Sequence, residues 1–476
     1  YDDGLVYRGK RTVNWCSKHQ TSLSDVETEN MEEKTPFYYF KYGPFTIGTV
    51  RPETKFGDKY VVMHPLDKRY AEYTHGQTID LEWINGPITA TIIKDEAIDM
   101  EFGTGVMTIT PWHSVVDFDI AERHKLDKEQ IIDKYGKLLP VAGEFEGQKI
   151  AEVREKIVEK LKQKGLLEKE EDYTHNIATA ERTGGLIEPQ IMNQWFVNVT
   201  KEFVLPHSTI SGIDSGSTTT LKEIMIKAVE GGQVKIIPEH FDKTYFHWIH
   251  NLRDWCISRQ IWYGHRIPVW YKGNEVYCGI NPPQEEGFEQ DPDTLDTWFS
   301  SGLWSFSTLG WPEQTEDLKT YHPTDVLETG YEIIFFWVAR MILMTGFCLG
   351  TVPFKTVYLH GTVRDSQGRK MSKSLGNSPD PIELIEKYSA DGVRVGMLYA
   401  SPAGNDLLFD EKYCEQGRNF ANKLWNAFRL INGWEIVETR SVGTRLEARS
   451  YNDNEARSYE AEWFESKFNQ ALTDIE

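Results

Sequence analysis

The chain has 476 residues, 52 Lys and Arg against 73 Asp and Glu, a formal charge of −21, and 39% hydrophobic and 13% aromatic residues. That length exceeds one ordinary domain and that apolar content excludes a disordered chain, so roughly two to four folded domains are expected. The acidity excludes a basic footprint spread over the whole surface, but not a local nucleic-acid patch, because charges beyond about 8 Å are screened at physiological salt.

In chain order, residues 1–34 read as a strand at Thr12–Cys16 followed by a polar loop. From Pro36 the texture becomes short alternating strands: Phe45–Val50, Tyr60–Met63, Ile88–Ile93 and Val106–Thr110, with Asn85-Gly86-Pro87 as a turn. Helices follow at Val116–Leu126 and Lys149–Lys164, the second with Ile150, Val153, Ile157 and Leu161 at helical spacing. Residues 36–190 therefore read as a β-rich domain with its own core. Ser208–Thr220 is rich in Ser, Thr and Gly and reads as a mobile surface linker. Elements at Gln233–Ile237, Arg253–Trp262 and Asp325–Thr329, a helix at Ile333–Phe347 and a strand at Thr356–His360 then alternate. That alternation predicts the α/β class with a doubly wound parallel sheet. Beyond Asp410 the pattern is helical, starting with Glu411–Ile431.

The five cysteines, Cys16, Cys256, Cys278, Cys348 and Cys414, are too scattered for a disulfide framework and fit a reducing compartment. Cys16-x-x-His19 is half of a zinc pattern with no second pair, so no structural zinc and no other metal ligand set is expected. The run Ile333–Ala339 lies between Glu332 and Arg340, far short of the about 20 residues of a membrane span. It reads as a buried helix, and no membrane partner is expected.

The segment with most chemistry is His360–Asn377. It follows a strand and precedes a helix near Pro381, and loops at the carboxyl ends of parallel strands are where open α/β sheets bind ligands. Lys370 and Lys373 can neutralise charge on a departing pyrophosphate, while Ser372, Ser374 and backbone N–H groups donate hydrogen bonds. A solvated Lys/Ser turn is the bland alternative. Lys370-Met371-Ser372-Lys373-Ser374 resembles the signature loop of class I aminoacyl-tRNA synthetases. Arg253–Gln260, Asp296-Thr297-Trp298-Phe299-Ser300-Ser301 and Thr329–Met341 narrow the resemblance to the valyl-tRNA synthetase family, over nearly the whole chain.

That resemblance implies an incomplete Rossmann-like sheet (residues 1–35 and 191–405), split by an inserted editing domain (36–190) and followed by the start of a helical anticodon-binding domain (406–476). It implies ATP with Mg2+, valine and tRNA(Val) as substrates, and a cytoplasmic monomer. Lys370 and Lys373 would be catalytic; His360, Gly361, Met371, Ser372 and Ser374 would join them around ATP. Trp298, Glu332 and Trp337 would form the amino-acid pocket, although for either Trp taken singly core packing is the plainer reading. The family's His-x-Gly-His signature is not found in these residues, and the first residue is Tyr1, so the chain is expected to be an interior piece.

Thr49-Val50-Arg51-Pro52-Glu53-Thr54, with Glu101–Val106 and Asp117, resembles the family's editing signature. An editing site is needed because a valine pocket rejects threonine by only about a hundredfold, a value established for valine enzymes of this kind. Asp117 would hold the free α-ammonium of a mischarged ester; Arg51, Glu53, Thr54 and Thr110 would shape the rest. Asp117 also reads as half of a capping box with Ser114. The family commonly has Lys where this chain has Thr108 and Asp where it has Ser114. Three functions remain: a ligase with editing, a hydrolase acting through residues 36–190 alone, and a tRNA-binding module, against which the complete lysine loop speaks.

Overall fold

The computed structural model describes residues 1–24, 27–180, 183–372, 375–402 and 404–433, with Trp463, Ser466, Lys467 and Gln470. They form two compact units, Tyr1–Met371 with Ser401–Leu408, and Ser372–Ala400 with Phe409 onward.

The first unit holds two large cores. One gathers Phe40, Tyr42, Ile47, Trp83, Ile92 and Ile157 from residues between 38 and 166. The other gathers Trp195, Ile236, Tyr245, Phe306, Met341 and Leu359 from residues between 195 and 359. Paired strands join them. Val6–Cys16 runs antiparallel to Ile187–Val197, with Val6 opposite Val197 and Cys16 opposite Ile187. Beyond it Thr28–Tyr42 runs antiparallel to Leu167–Ala180, with Thr28 opposite Ala180. The chain thus enters and leaves the inner core side by side, and the paired ladders satisfy the backbone of both connections.

The polar loop expected before residue 35 is therefore mostly strand, at Thr21–Leu23 and Thr28–Tyr42, and Pro36 lies within a strand. Glu29, Asn30, Met31, Glu32 and Lys34 are exposed, so this part of the ribbon buries neither face and offers no alternation to read. The inner sheet runs in the order Thr78–Trp83, Gly86–Lys94, Tyr60–Met63, Val106–Thr108. Two helices cover it, Val115–His124 and Ile150–Gln163, and the second buries Ile150, Val153, Ile157 and Leu161 as their spacing requires.

Around the second core, Lys235–Ile237, Phe354–His360 and Thr324–Gly330 form a parallel sheet with Phe354–His360 in the middle. This is the α/β class expected. The segment Ser208–Thr220 is no mobile linker: Ile210 and Ile213 are buried in the core and Thr218–Thr219 pairs with Phe203–Val204. Its two isoleucines are anchors that a polar composition conceals. Arg253–Trp262 contains two short strands, Trp255–Cys256 and Ser258–Arg259. The helix expected from Ile333 begins as a 3-10 turn, Tyr331–Ile333, and a π turn, Ile334–Val338, and is α only over Ala339–Leu349. An unbroken apolar run carries no phase by which periodicity could tell these apart. Tyr331–Leu349 is long and apolar enough to cross a membrane, yet Val338, Ala339 and Met341 are fully buried in protein, as in a core helix.

The second unit packs Pro381–Tyr388 and Ala390–Ala400 against Glu411–Asn432 around Leu384, Tyr388 and Cys414. The last two helices approach through glycine: a Cβ on Gly417 would lie 2.1 Å from the Gly392 carbonyl oxygen. Of the helical pattern expected beyond residue 433, almost all lies outside the described residues.

Candidate active sites

The inner site begins at the end of the strand Phe45–Thr49, where Thr49 Oγ1 accepts the Arg51 N–H at 3.0 Å and a 3-10 turn, Pro52–Gly57, follows. Arg51 donates through Nε to Glu53 (3.1 Å) and through Nη2 to Glu188 (2.6 Å). Glu53 is fully buried and also receives Arg154 Nη2 at 2.9 Å and Nε at 3.0 Å. His113 Nε2 accepts the N–H groups of Ile131 and Ile132, so its proton sits on Nδ1, which lies 3.1 Å from Glu188. Burial opposes ionisation of Glu188, but Arg51 and His113 more than offset it and hold its carboxyl below the usual range. Arg51 stays charged for the same reason: both carboxylates oppose the cost of its burial. Two arginines and two carboxylates thus lock the turn that carries Thr54, whose hydroxyl donates to the Arg51 carbonyl at 3.0 Å.

Asp117 reaches this site from the first turn of Val115–His124. Only half of the expected capping box forms: Ser114 Oγ accepts the Asp117 N–H at 3.3 Å, while Asp117 Oδ2 turns away to accept the Thr110 N–H at 2.7 Å. The carboxylate is 6% exposed, and burial raises its pKa against the lowering pull of the Thr110 N–H, Lys55 and Arg51. Thr110 and Asp117 are in direct contact, and Arg51 lies within electrostatic reach.

Lys55, Asp58, His113, Arg154 and Glu188 were not among the expected site residues. Lys55 and Asp58 adjoin the Arg51–Thr54 motif, and a charged pair three apart beside such a motif was the available signal. Glu188 lies 137 residues from Arg51, with no local pattern to connect them. Burial pushes the Asp58 carboxyl up to about 6 despite the Lys55 ammonium beside it.

The second site lies at the carboxyl end of the parallel sheet. His360 ends the central strand; its Nδ1 lies 2.8 Å from the Gly361 carbonyl oxygen and its Nε2 3.4 Å from Glu328. Gly361 touches the chain at Asn405 so closely that a Cβ would lie 1.7 Å from its carbonyl oxygen, which fixes glycine there. Asp406 accepts the Thr362 N–H and the Tyr331 hydroxyl, each at 2.9 Å, and pairs with Arg364. Burial opposes ionisation of Asp406, but these three donors outweigh it and lower its pKa.

The lysine loop starts as a hairpin. The Met371 N–H bonds the Val363 carbonyl at 3.1 Å, the Asp365 N–H bonds the Arg369 carbonyl at 2.9 Å, and Gly368 turns with φ +78°. This aims Lys370 at Glu332, the two 2.8 Å apart. The Ser372 N–H donates to Asn377 Oδ1 at 2.9 Å; Lys373 and Ser374 lie outside the described residues. Asp296 is buried and accepts Trp255 Nε1 (3.0 Å), Arg259 Nη2 (2.9 Å) and the Trp298 N–H (3.1 Å). Trp298 is half-buried against Phe336, ring centroids 5.2 Å apart, and Trp337, also half-buried, donates to the Ser301 carbonyl at 3.0 Å. The indoles therefore stand on adjoining elements, partly open, and not in the deep core. Among the described residues no group of three or more His, Cys, Asp or Glu is placed to hold a metal ion.

Comparison with known proteins agrees in family. The chain is 42% identical to a valine–tRNA ligase of Clostridium tetani over 100% of its own length and 52% of the relative's. It is 46% identical to that of Carboxydothermus hydrogenoformans over 90% of its length and 48% of the relative's. The chain thus spans about half the length of the curated relatives it matches. Among solved structures, a Mycobacterium tuberculosis methionyl-tRNA synthetase in complex with methionyl-adenylate is 19% identical, with a TM-score of 0.40 over 58% of this chain and 48% of that one, values that carry nothing further. The family described as tRNA synthetases class I (I, L, M and V) matches residues 1–283 and 280–410, and the chain belongs to that family.

Proposed function

We propose that these residues are the working interior of a valine–tRNA ligase, a cytoplasmic monomer that joins valine to tRNA(Val) with ATP and hydrolyses threonyl-tRNA(Val) made in error. In activation, the valine carboxylate attacks the α-phosphorus of magnesium-bound ATP and pyrophosphate leaves. Lys370 and Lys373 stabilise the charge that builds on the departing phosphates, and Met371, Ser372 and Ser374 belong to the same ATP-binding loop. His360 and Gly361 lie against the adenine. Trp298 and Trp337 flank the valine side chain, since two indole faces suit a small branched group. Glu332 contacts the valyl-adenylate. The observation that carries this reading is the Lys370–Glu332 pair, 2.8 Å apart beyond adjacent parallel strands, where sheets of this class bind ligands.

In the inner domain, residues 36–190, Asp117 holds the α-ammonium of the misjoined threonine, while Arg51, Glu53, Thr54 and Thr110 define the pocket. Its separate core and its locked Arg51–Glu53–Arg154 turn support a hydrolytic site that needs no nucleotide. The test is deacylation by this chain without ATP. Release of threonine from threonyl-tRNA(Val), with valyl-tRNA(Val) spared, is expected; equal rates on both esters would contradict the assignment.

A further inference from the structure

A cavity of about 510 Å³ opens between the helix Val115–His124 of the inner domain and the outer core, with Thr12, Phe118, Trp248, Trp255, Phe335 and Arg340 in its wall. That size, and that mix of rings with a few polar groups, suit a small-molecule site at a domain junction. The charges in the wall nearly cancel. Arg253 pairs with Asp119 at 3.1 Å and Arg11 with Asp254 at 3.2 Å, which leaves Arg340 as the uncompensated charge.

Arg340 is 5% exposed, and its guanidinium lies against two rings, 3.9 Å from the Trp255 centroid and 4.6 Å from that of Phe335. The ring faces attract the charge but leave its N–H groups unanswered, and Nη1 has no hydrogen-bond partner among the described residues. Burial pulls the guanidinium pKa down to about 9 against the attraction of Asp296, whose carboxylate already takes Trp255 Nε1 and Arg259 Nη2. Thr12 Oγ1, in the same wall, is likewise buried without a partner among the described residues. Buried polar groups left unpaired are rare and costly, and two in the wall of one cavity call for a bound group.

We infer that this cavity binds a nucleotide unit, its phosphate held by Arg340 and Thr12 and its base laid against Trp248 and Phe118. The one uncompensated positive charge matches one phosphate. Trp248 stacks on Phe335 with centroids 4.9 Å apart and is still 37% exposed, so a flat base can extend the stack. Every base has a face for such stacking, so the site is tolerant of base identity. The phosphate belongs either to a free nucleotide or to the end of an RNA strand.

The experiment titrates the chain with cytidine, cytidine monophosphate and an RNA of three cytidines, since the outer site is proposed for adenine. Both phosphate-bearing probes should bind, and cytidine at least tenfold more weakly. Arg340→Met should weaken the monophosphate by about ten- to a hundredfold, the scale for losing a hydrogen bond to a charged group, and leave cytidine unchanged. Thr12→Val, which exchanges a hydroxyl for a methyl, should weaken it severalfold. Equal affinity for the monophosphate and the trinucleotide would assign the site to free nucleotides, and a trinucleotide bound at least tenfold tighter would assign it to an RNA end. No binding of either probe, or a monophosphate bound no better than cytidine, would overturn the inference. So would unchanged monophosphate affinity in Arg340→Met, or in Thr12→Val should Arg340→Met not fold.

Discussion

Asp117 separates a catalytic carboxylate from a structural one, because the two jobs use different atoms. The helix Val115–His124 is capped by Ser114 Oγ on the Asp117 N–H, so the side chain at 117 contributes nothing to that cap. What it does hold is the Thr110 N–H, at 2.7 Å and out of solvent. Asp117→Ala leaves that donor buried and unpaired, which costs about 1–3 kcal/mol of stability. Asp117→Asn keeps an oxygen acceptor for Thr110 and removes only the charge. Its midpoint should stay close to that of the unaltered chain, while hydrolysis of threonyl-tRNA(Val) falls roughly ten- to a hundredfold, the equivalent of about 1.5–3 kcal/mol for a hydrogen bond to a charged group. Ser114→Ala should do the opposite, losing about 1 kcal/mol of helix stability at an unchanged rate per folded molecule. Thermal midpoint and single-turnover deacylation on all three variants decide the matter. Asp117→Asn hydrolysing at the unaltered rate would refute the reasoning.

Arg154→Ala leaves the fully buried Glu53 with Arg51 alone, and should cost about 3 kcal/mol in urea unfolding, as breaking a buried ion pair does; a change within error would deny the network its role. Asp58 has its carboxyl pushed up to about 6 from an ordinary 3.8, so the folded state favours its protonated form. Its share of stability is full below the unfolded value and is lost as pH rises through 6, at most about 3 kcal/mol. Asp58→Asn should flatten that slope between pH 4 and 7, and equal slopes in both proteins would count against it. Lys370→Ala, in the full gene product, should slow valine activation by the equivalent of about 3 kcal/mol while barely moving the midpoint, since Lys370 and Glu332 are half exposed; normal pyrophosphate exchange would remove Lys370 from catalysis.

How far the sequence could be read depended on burial. Glu411–Asn432, Ile150–Gln163 and Tyr60–Met63 lie within a residue or two of their expected bounds: Ile150–Gln163 buries one face and keeps the other wet, Tyr60–Met63 is a short apolar strand buried on both faces, and Glu411–Asn432 is a long helix that buries only Cys414 and Gly417. Thr28–Tyr42 was hidden because its first half buries nothing, and the strand Thr78–Trp83 because its alternation runs straight into the Asn85 turn. The Ser208–Thr220 segment misled by composition, since Ile210 and Ile213 outweigh their polar neighbours once buried. At the candidate sites, motifs pointed to Arg51, Asp117 and Lys370, but several of the charges around them come from afar. Arg154 lies 101 residues from Glu53, and Asp406 lies 44 from Thr362. Pairing of that kind is set by the fold and leaves no local spacing to find.

The most direct test of valine ligation is amino-acid-dependent ATP–pyrophosphate exchange by the full gene product, with valine, isoleucine and threonine supplied separately. Strong exchange with valine, weaker exchange with threonine and almost none with isoleucine are expected if Trp298 and Trp337 flank the amino-acid side chain as proposed. Exchange driven as well by isoleucine as by valine, or by neither, would contradict the account.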